Sequence, residues 1–182
     1  MSENLPHRAA ASTPMQAVPW EGELPRRLLS GDPEGVIACR SYLGQNFVEV
    51  RPEAVIRVLA FLRDAEQFDF LTDLTAVDRA HDPQRFEIVY FLYSVTHNQR
   101  LRVKTHVSLE QEPASITGLF PAADWLEREV FDMFGIRFAG HPDLKRILLP
   151  DEWQGFPLRK ETSILAMDQD WVRNNLNIES GQ

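Results

Sequence analysis

The run Phe86-Glu87-Ile88-Val89-Tyr90-Phe91-Leu92-Tyr93-Ser94-Val95 leads through Thr96-His97-Asn98-Gln99-Arg100 into Leu101-Arg102-Val103-Lys104-Thr105-His106-Val107-Ser108-Leu109, and this stretch decides the fold. Its first part is aromatic, β-branched or otherwise apolar at nearly every position, the pattern of a central strand covered on both faces. In its last part Leu101, Val103, Thr105, Val107 and Leu109 alternate strictly with Arg102, Lys104, His106 and Ser108. One face of that strand is therefore buried and the other is polar and basic. The link at residues 96–100 is short enough to make the two strands a hairpin.

Working outward, Phe68 to Val77 is a further run of strand character. Upstream, Val36 to Cys39 and Phe47 to Val50 flank the turn-forming Gly44-Gln45-Asn46 and predict a second hairpin. Pro52 then stands where a helix favours its first residue. Behind it Val55, Ile56, Val58, Leu59, Phe61 and Leu62 share one side of a helical wheel, opposite Glu53, Arg57 and Asp64. After Pro121 a second helix runs from Asp124 to Phe134 and is stopped by Gly135 at C′. The fold class is α+β, a mixed or antiparallel sheet backed by two helices and followed by an extended C-terminal strap.

Residues 1–33 hold five of the twelve prolines among Ala, Ser, Thr and Gly, with no helical or strand period. They read as a flexible arm, ordered only if something holds it. The α+β domain covers residues 34–138, the strap 139–160 and a tail 161–182. Within the strap, three prolines and dense charge surround one apolar knot, Ile147-Leu148-Leu149. A regular helix or interior strand is excluded there. Such a segment, with little core of its own, is the kind that another protein usually holds.

The 182 residues suit one compact domain with short tails. The single cysteine, Cys39, excludes an intramolecular disulfide, a Cys-rich zinc site and a cluster needing about four thiolates. With 19 basic against 27 acidic residues and a formal net charge of −8, nucleic acid is not an expected partner. No apolar run approaches the roughly 18 to 20 residues of a membrane span, and the first residues lack the pattern of a secretory signal. The chain is expected to remain cytoplasmic.

On the second helix Arg128, Glu129 and Asp132 share a polar stripe, and Glu127 falls among Val130, Phe131 and Phe134 on the apolar side. Asp124-x-x-Glu127 has capping-box spacing, which makes Glu127 a helix cap; the alternative is a buried or partner-facing ion pair. Asp124, Arg128 and Asp132 also have the spacing of a solvated ion-pair ladder. His141-Pro142-Asp143 brings an imidazole near a carboxylate, which would serve a small stand-alone acid–base enzyme. No nucleophile accompanies it, and a loop histidine bonding its own turn or a neighbouring chain reads better. Cys39 reads as a small core residue, and the series Asp69, Asp73, Asp78 and Asp82 as turn and edge chemistry.

Leu71-Thr72-Asp73-Leu74-Thr75-Ala76-Val77-Asp78, the strand pair Phe86 to Lys104, and Ala123-Asp124-Trp125-Leu126-Glu127-Arg128-Glu129 together resemble the C subunit of proton-translocating NADH-quinone oxidoreductase, respiratory complex I. The resemblance continues through Phe131 to Ile136 and Gly140 to Pro150, and ends with Trp153, Gly155 and Pro157-Leu158-Arg159-Lys160. The family often follows its Leu-Arg-Lys with Asp-Tyr-Pro, where this chain has Glu161-Thr162-Ser163.

The resemblance implies a structural and assembly subunit, not catalytic alone, that carries no cofactor. It implies a peripheral position on the cytoplasmic side of the bacterial inner membrane, attached only through the complex. Its partners would be the D subunit, embraced by the strap, and other peripheral-arm subunits. An equivalent subunit of a membrane-bound hydrogenase or ferredoxin-dependent homologue is the related alternative. The candidate partner-binding residues are Glu127, Arg128, Glu129 and Asp132 on the helix. On the strap they are His141, Asp143, Lys145, Arg146, Arg159 and Lys160.

Overall fold

The computed structural model describes residues 16–162. Six strands form one sheet: β1 (Val18–Pro19), β2 (Val36–Tyr42), β3 (Gln45–Val50), β4 (Phe70–Asp78), β5 (Phe86–Ser94) and β6 (Gln99–Val107). Their spatial order is β1-β2-β3-β6-β5-β4. All neighbours are antiparallel except β3 and β6, so the sheet is mixed. Among the described residues three α-helices accompany it: α1 (Glu23–Gly31), α2 (Val55–Asp64) after a 3-10 turn at Pro52–Ala54, and α3 (Ala123–Phe134). The α+β class with a mixed sheet is therefore established.

All three helices feed one apolar cluster on one face of the sheet. Leu28 from α1, Val58, Leu59 and Leu62 from α2, and Val130 and Phe134 from α3 meet Val48, Val50, Ile88, Tyr90, Leu92, Leu101 and Val103. The alternation in β6 is reproduced as far as Val107: Leu101, Val103, Thr105 and Val107 are buried and Arg102, Lys104 and His106 turn to the other face, whereas Leu109 lies beyond the strand end and is exposed. β5 departs from expectation. It is second from the edge, and no helix lies on its second face among the described residues. Its Val89 is buried there beneath neighbouring side chains.

Other boundaries shift for local reasons. The first hairpin turns at Leu43-Gly44, both with positive φ (52° and 74°), the geometry that a two-residue hairpin loop demands. Ile56 points outward at 36% exposure, because the core of α2 is carried by Val55, Val58, Leu59 and Leu62. Residues 1–33 read as a flexible arm, ordered only if something holds it. Over its second half the arm is held and carries a strand and a helix that the absence of a local period did not predict. β1 pairs with β2, the Trp20 N–H donates to the Cys39 carbonyl (3.0 Å), and α1 buries Pro25 and Leu28. What holds this segment is the sheet edge itself, which no local period could reveal. Residues 1–15 and the tail from 163 lie outside the described residues.

Candidate functional site

α3 and the strap form one unit, and its geometry starts at the helix end. Gly135 adopts φ 75°, and its N–H donates to the Phe131 carbonyl (2.8 Å). A Cβ here would lie 2.5 Å from the Phe156 ring and 2.6 Å from Arg159 Nη2. Glycine is thus needed twice, for the left-handed conformation and for the room that the returning strap occupies. The Leu158 N–H donates to the Met133 carbonyl (3.1 Å) and Arg159 Nε to the Phe134 carbonyl (2.6 Å). A cation and an amide thereby satisfy carbonyls at the negative end of the helix. The Arg159 guanidinium also stacks on Phe156 at 4.5 Å, and Phe156 meets Phe131 edge-on.

Asp132, one turn earlier, is the centre of the second contact. Its side chain is fully buried, and Oδ2 accepts three successive backbone N–H groups, from Ile147 (3.0 Å), Leu148 (2.8 Å) and Leu149 (3.0 Å). Oδ1 accepts Arg146 Nη1 at 2.6 Å. Burial works to raise the Asp132 pKa, but the Leu149 and Leu148 amides, the Arg146 guanidinium and the Ile147 amide outweigh it and hold the carboxyl below its ordinary value. The apolar knot is thus an anion-binding backbone concavity whose anion is this chain's own carboxylate. Arg146 completes the turn by donating to the Gly155 carbonyl (3.1 Å).

Asp78, at the end of β4, makes the third contact. Arg85 grips it in bidentate fashion (2.8 and 2.7 Å), and the Lys160 N–H donates to Oδ2 (2.8 Å). The Arg85 guanidinium holds this carboxyl below its ordinary pKa, against burial and with help from the Lys160 amide. Arg85 also pairs with Glu161.

Glu127 is neither a helix cap nor exposed to a partner. The N-cap position is Ala122, without a side-chain bond, because the helix begins one residue before Asp124. Glu127 is fully buried, and Oε1 accepts the Ile116 N–H (2.7 Å) from the loop ahead of the helix. Oε2 and the Tyr90 hydroxyl are buried without hydrogen-bond partners. Burial pushes the Glu127 pKa above its ordinary value. His141 Nε2 lies 4.0 Å from Glu127 Oε2 and 3.1 Å from the Asp124 carbonyl, while Nδ1 accepts the Asp143 N–H (3.0 Å). An Nδ1 that accepts leaves the proton on Nε2, so the ring ties the start of the strap to the start of α3. Both nitrogens are engaged and the ring is buried, which removes the acid–base reading of His141 and Asp143.

The structure therefore divides the ten sequence candidates. Arg128, Asp132, His141, Arg146 and Arg159 spend polar atoms within the chain, and Glu127 is buried with Oε1 bonded and Oε2 unpartnered. Arg128 donates to the Lys145 carbonyl (3.2 Å), stacks on Trp125 and keeps the Asp124 rung of the ladder at 4.0 Å, whereas the Asp132 rung is given up to Arg146. Glu129, Asp143, Lys145 and Lys160 are exposed, and Lys145 pairs with Asp143 at 2.7 Å. The expectation that another protein orders the strap is corrected: α3 and β4 of this chain supply the contacts. Missed in the sequence were Phe156, Leu148, Leu158 and the role of Asp78. Asp78 shares the inward phase of Leu74 and Ala76, a signal that it must be buried and paired. Leu148 and Leu158 emerge outward, 61% and 52% exposed. Among the described residues no group of three His, Cys, Asp or Glu side chains is placed to hold a metal, and Cys39 is buried, its thiol pushed up to about 11.

A family model described as respiratory-chain NADH dehydrogenase, 30 Kd subunit, matches residues 48–167. The NADH-quinone oxidoreductase C subunit of Roseiflexus sp. (strain RS-1) is 44% identical over 152 residues, 81% of this chain and 87% of that protein. The corresponding C subunit of Trichlorobacter lovleyi is 50% identical over 146 residues, 78% of this chain and 89% of that protein. Among solved structures, a chain of the membrane-bound sulfane sulfur reductase, an archaeal respiratory membrane complex, shares the fold with a TM-score of 0.70 at 21% identity. That match covers 86% of this chain and 92% of that one.

Proposed function

The chain belongs to the family of the respiratory-chain NADH dehydrogenase 30 Kd subunit, and from that premise we propose that it is a structural and assembly subunit of a proton-translocating NADH-quinone oxidoreductase. In this reading it sits in the peripheral arm, supports electron transfer from NADH to quinone without carrying electrons, and docks on the D subunit through the strap. Identities of 44 and 50% to proteins named as the C subunit of NADH-quinone oxidoreductase favour it over a hydrogenase-type role, since the likeness to the sulfane sulfur reductase chain, at 21%, is one of fold.

One observation carries the docking role. The strap is fastened to its own domain at Asp132, Asp78 and Gly135, and in that pose it displays Leu148 and Leu158 to solvent. Apolar side chains held outward on a backbone already ordered are suited to binding, because little entropy remains to be lost on association. No helix among the described residues is long and apolar enough to cross a membrane. Attachment on the cytoplasmic side of the bacterial inner membrane then runs through the other subunits.

The test is Leu148→Glu with Leu158→Glu in the assembled complex. Each buried carboxylate would cost more than the roughly 1.5–3 kcal/mol a fully buried leucine contributes, so the D subunit should no longer co-purify. The purified variant chain should keep its melting temperature. Retention of the D subunit at the wild-type level would refute docking through this surface.

A further inference from the structure

Among the described residues every helix lies on one side, and the opposite sheet face is roofed by its own side chains. Phe47 and Val89 are buried on it yet stand outside the main cluster, and the cations of Lys104 and Arg102 cover the Phe47 ring at 4.8 and 5.7 Å. The two ends of this face differ in charge balance. At one end the Glu87 carboxylate takes Lys104 Nζ (2.7 Å) and the Arg79 guanidinium, so cation and anion cancel.

At the other end the cross-strand row runs Asp73, Phe91, Arg102, Phe47, Arg40, with Tyr93 opposite Arg100 in the next row. No carboxylate lies within 4 Å of Arg40, Arg100 or Arg102 among the described residues. Asp73, at the sheet edge, directs Oδ1 to the Leu74 N–H (2.8 Å). A shallow depression of about 730 Å³ lies over this end, with Phe91, Tyr93, Arg100 and Arg102 in its lining.

We propose that this end of the open sheet face docks a short acidic segment of a neighbouring subunit, its carboxylates meeting Arg100 and Arg102 and its apolar side chains lying on Phe91 and Tyr93. The chain has 27 acidic residues against 19 basic ones, yet among the described residues no carboxylate meets these guanidinium groups. Guanidinium forks match carboxylates in a planar, bidentate way, and the aromatic rings beside them give apolar contact. A net charge of −8 disfavours an extended polyanion, so a peptide carrying a few carboxylates fits better than nucleic acid or an anionic bilayer. The acidic dock rests on the preceding reading only in that the chain works beside other subunits. It does not require the strap to bind anything.

The experiment places a photo-crosslinking phenylalanine derivative at Tyr93 in the assembled complex and identifies the captured peptide by mass spectrometry. A peptide of another subunit that contains Asp or Glu is expected. Arg100→Glu with Arg102→Glu should lower its capture about tenfold or more, and Lys at the captured acids should restore it. Arg100→Glu alone, which leaves the Arg102 cover on Phe47 in place, should also lower capture and keep the chain's melting temperature. Capture of a lipid, a second copy, or residues 163–182 of this chain overturns the proposal, as does no capture. The same probe at Leu148 reads the strap separately: capture there without capture at Tyr93 refutes the sheet-face dock alone, and the converse refutes only docking through the strap.

Discussion

Asp132→Asn removes one charge at the point where the strap is fastened. The wild-type carboxylate receives four donors, three backbone N–H groups on Oδ2 and the Arg146 guanidinium on Oδ1. An Asn amide has one oxygen and one NH₂, so in either orientation a donor faces a donor. Arg146, 15% exposed at its side chain, loses its anion and keeps only carbonyl partners. Removing one member of a buried pair costs about 3–5 kcal/mol. The sheet core does not share these bonds, so the cost falls on local release of the strap and only secondarily on global unfolding.

Hydrogen exchange read by mass spectrometry separates the two. Amides 147–149 should exchange about 100- to 1,000-fold faster in the variant, the equivalent of roughly 3–4 kcal/mol, while β5 and β6 keep their protection. The pH dependence has a defined sign. The folded pKa of Asp132 lies below its unfolded value, so this stabilisation is present above the unfolded value near 3.9 and is lost as pH falls through the lowered folded pKa. Strap protection should hold from pH 8 to pH 5 and fail only in acid. Unchanged exchange at 147–149 in Asp132→Asn would overturn this account of the strap.

Gly135→Ala should lose about 1–2 kcal/mol from the left-handed backbone alone, and more from the clash with Phe156, measured as a lower urea midpoint. Gly135→Asn tolerates the φ but keeps the Cβ, so it should rescue little; full rescue would show that the room for Phe156 is immaterial. Glu127→Gln tests the buried carboxyl beside Tyr90, His141 and Asp124. Its folded pKa is raised, so the contribution of this group to stability is fully present below the unfolded value near 4.3 and is lost as pH rises through the folded pKa. The Gln variant should be more stable than wild type at pH 8 and lack that decline in urea titrations; equal stability at both ends would show that Glu127 carries no such penalty.

The parts of the fold legible in sequence are those where one face is buried. Leu101 to Val107 and Asp124 to Phe134 announce themselves because burial repeats with the period of the element, and Gly135 announces a stop. The site was legible only as location. The strap's basic residues and the polar residues of α3 were visible, but not their pairing. Glu127 finds its donor in Ile116 and Asp132 finds its donors in residues 146–149, contacts set by how a loop and a strap return to the helix and not by any spacing along it. Local rules therefore offered a capping box and an i,i+4 ladder; tertiary contacts outcompete the first and leave only the Asp124–Arg128 rung of the second. The same limit hid β1 and α1, whose order comes from the edge of a sheet assembled elsewhere in the chain.

Fastening the strap internally changes what an association measurement means. Fixing residues 145–149 costs about 5–10 kcal/mol of backbone entropy. The buried Asp132 network offsets part of that within the free subunit, so the cost need not be met when a partner arrives. A substitution at Asp132 should thus weaken association although the carboxylate touches no partner, because Leu148 is then offered from a disordered loop. A substitution at Leu148 should weaken it with the strap still ordered. The two defects look alike in a pull-down and differ in exchange at 147–149, so the position of a residue on this strap is no guide to whether it binds or positions; its bonding to α3 is.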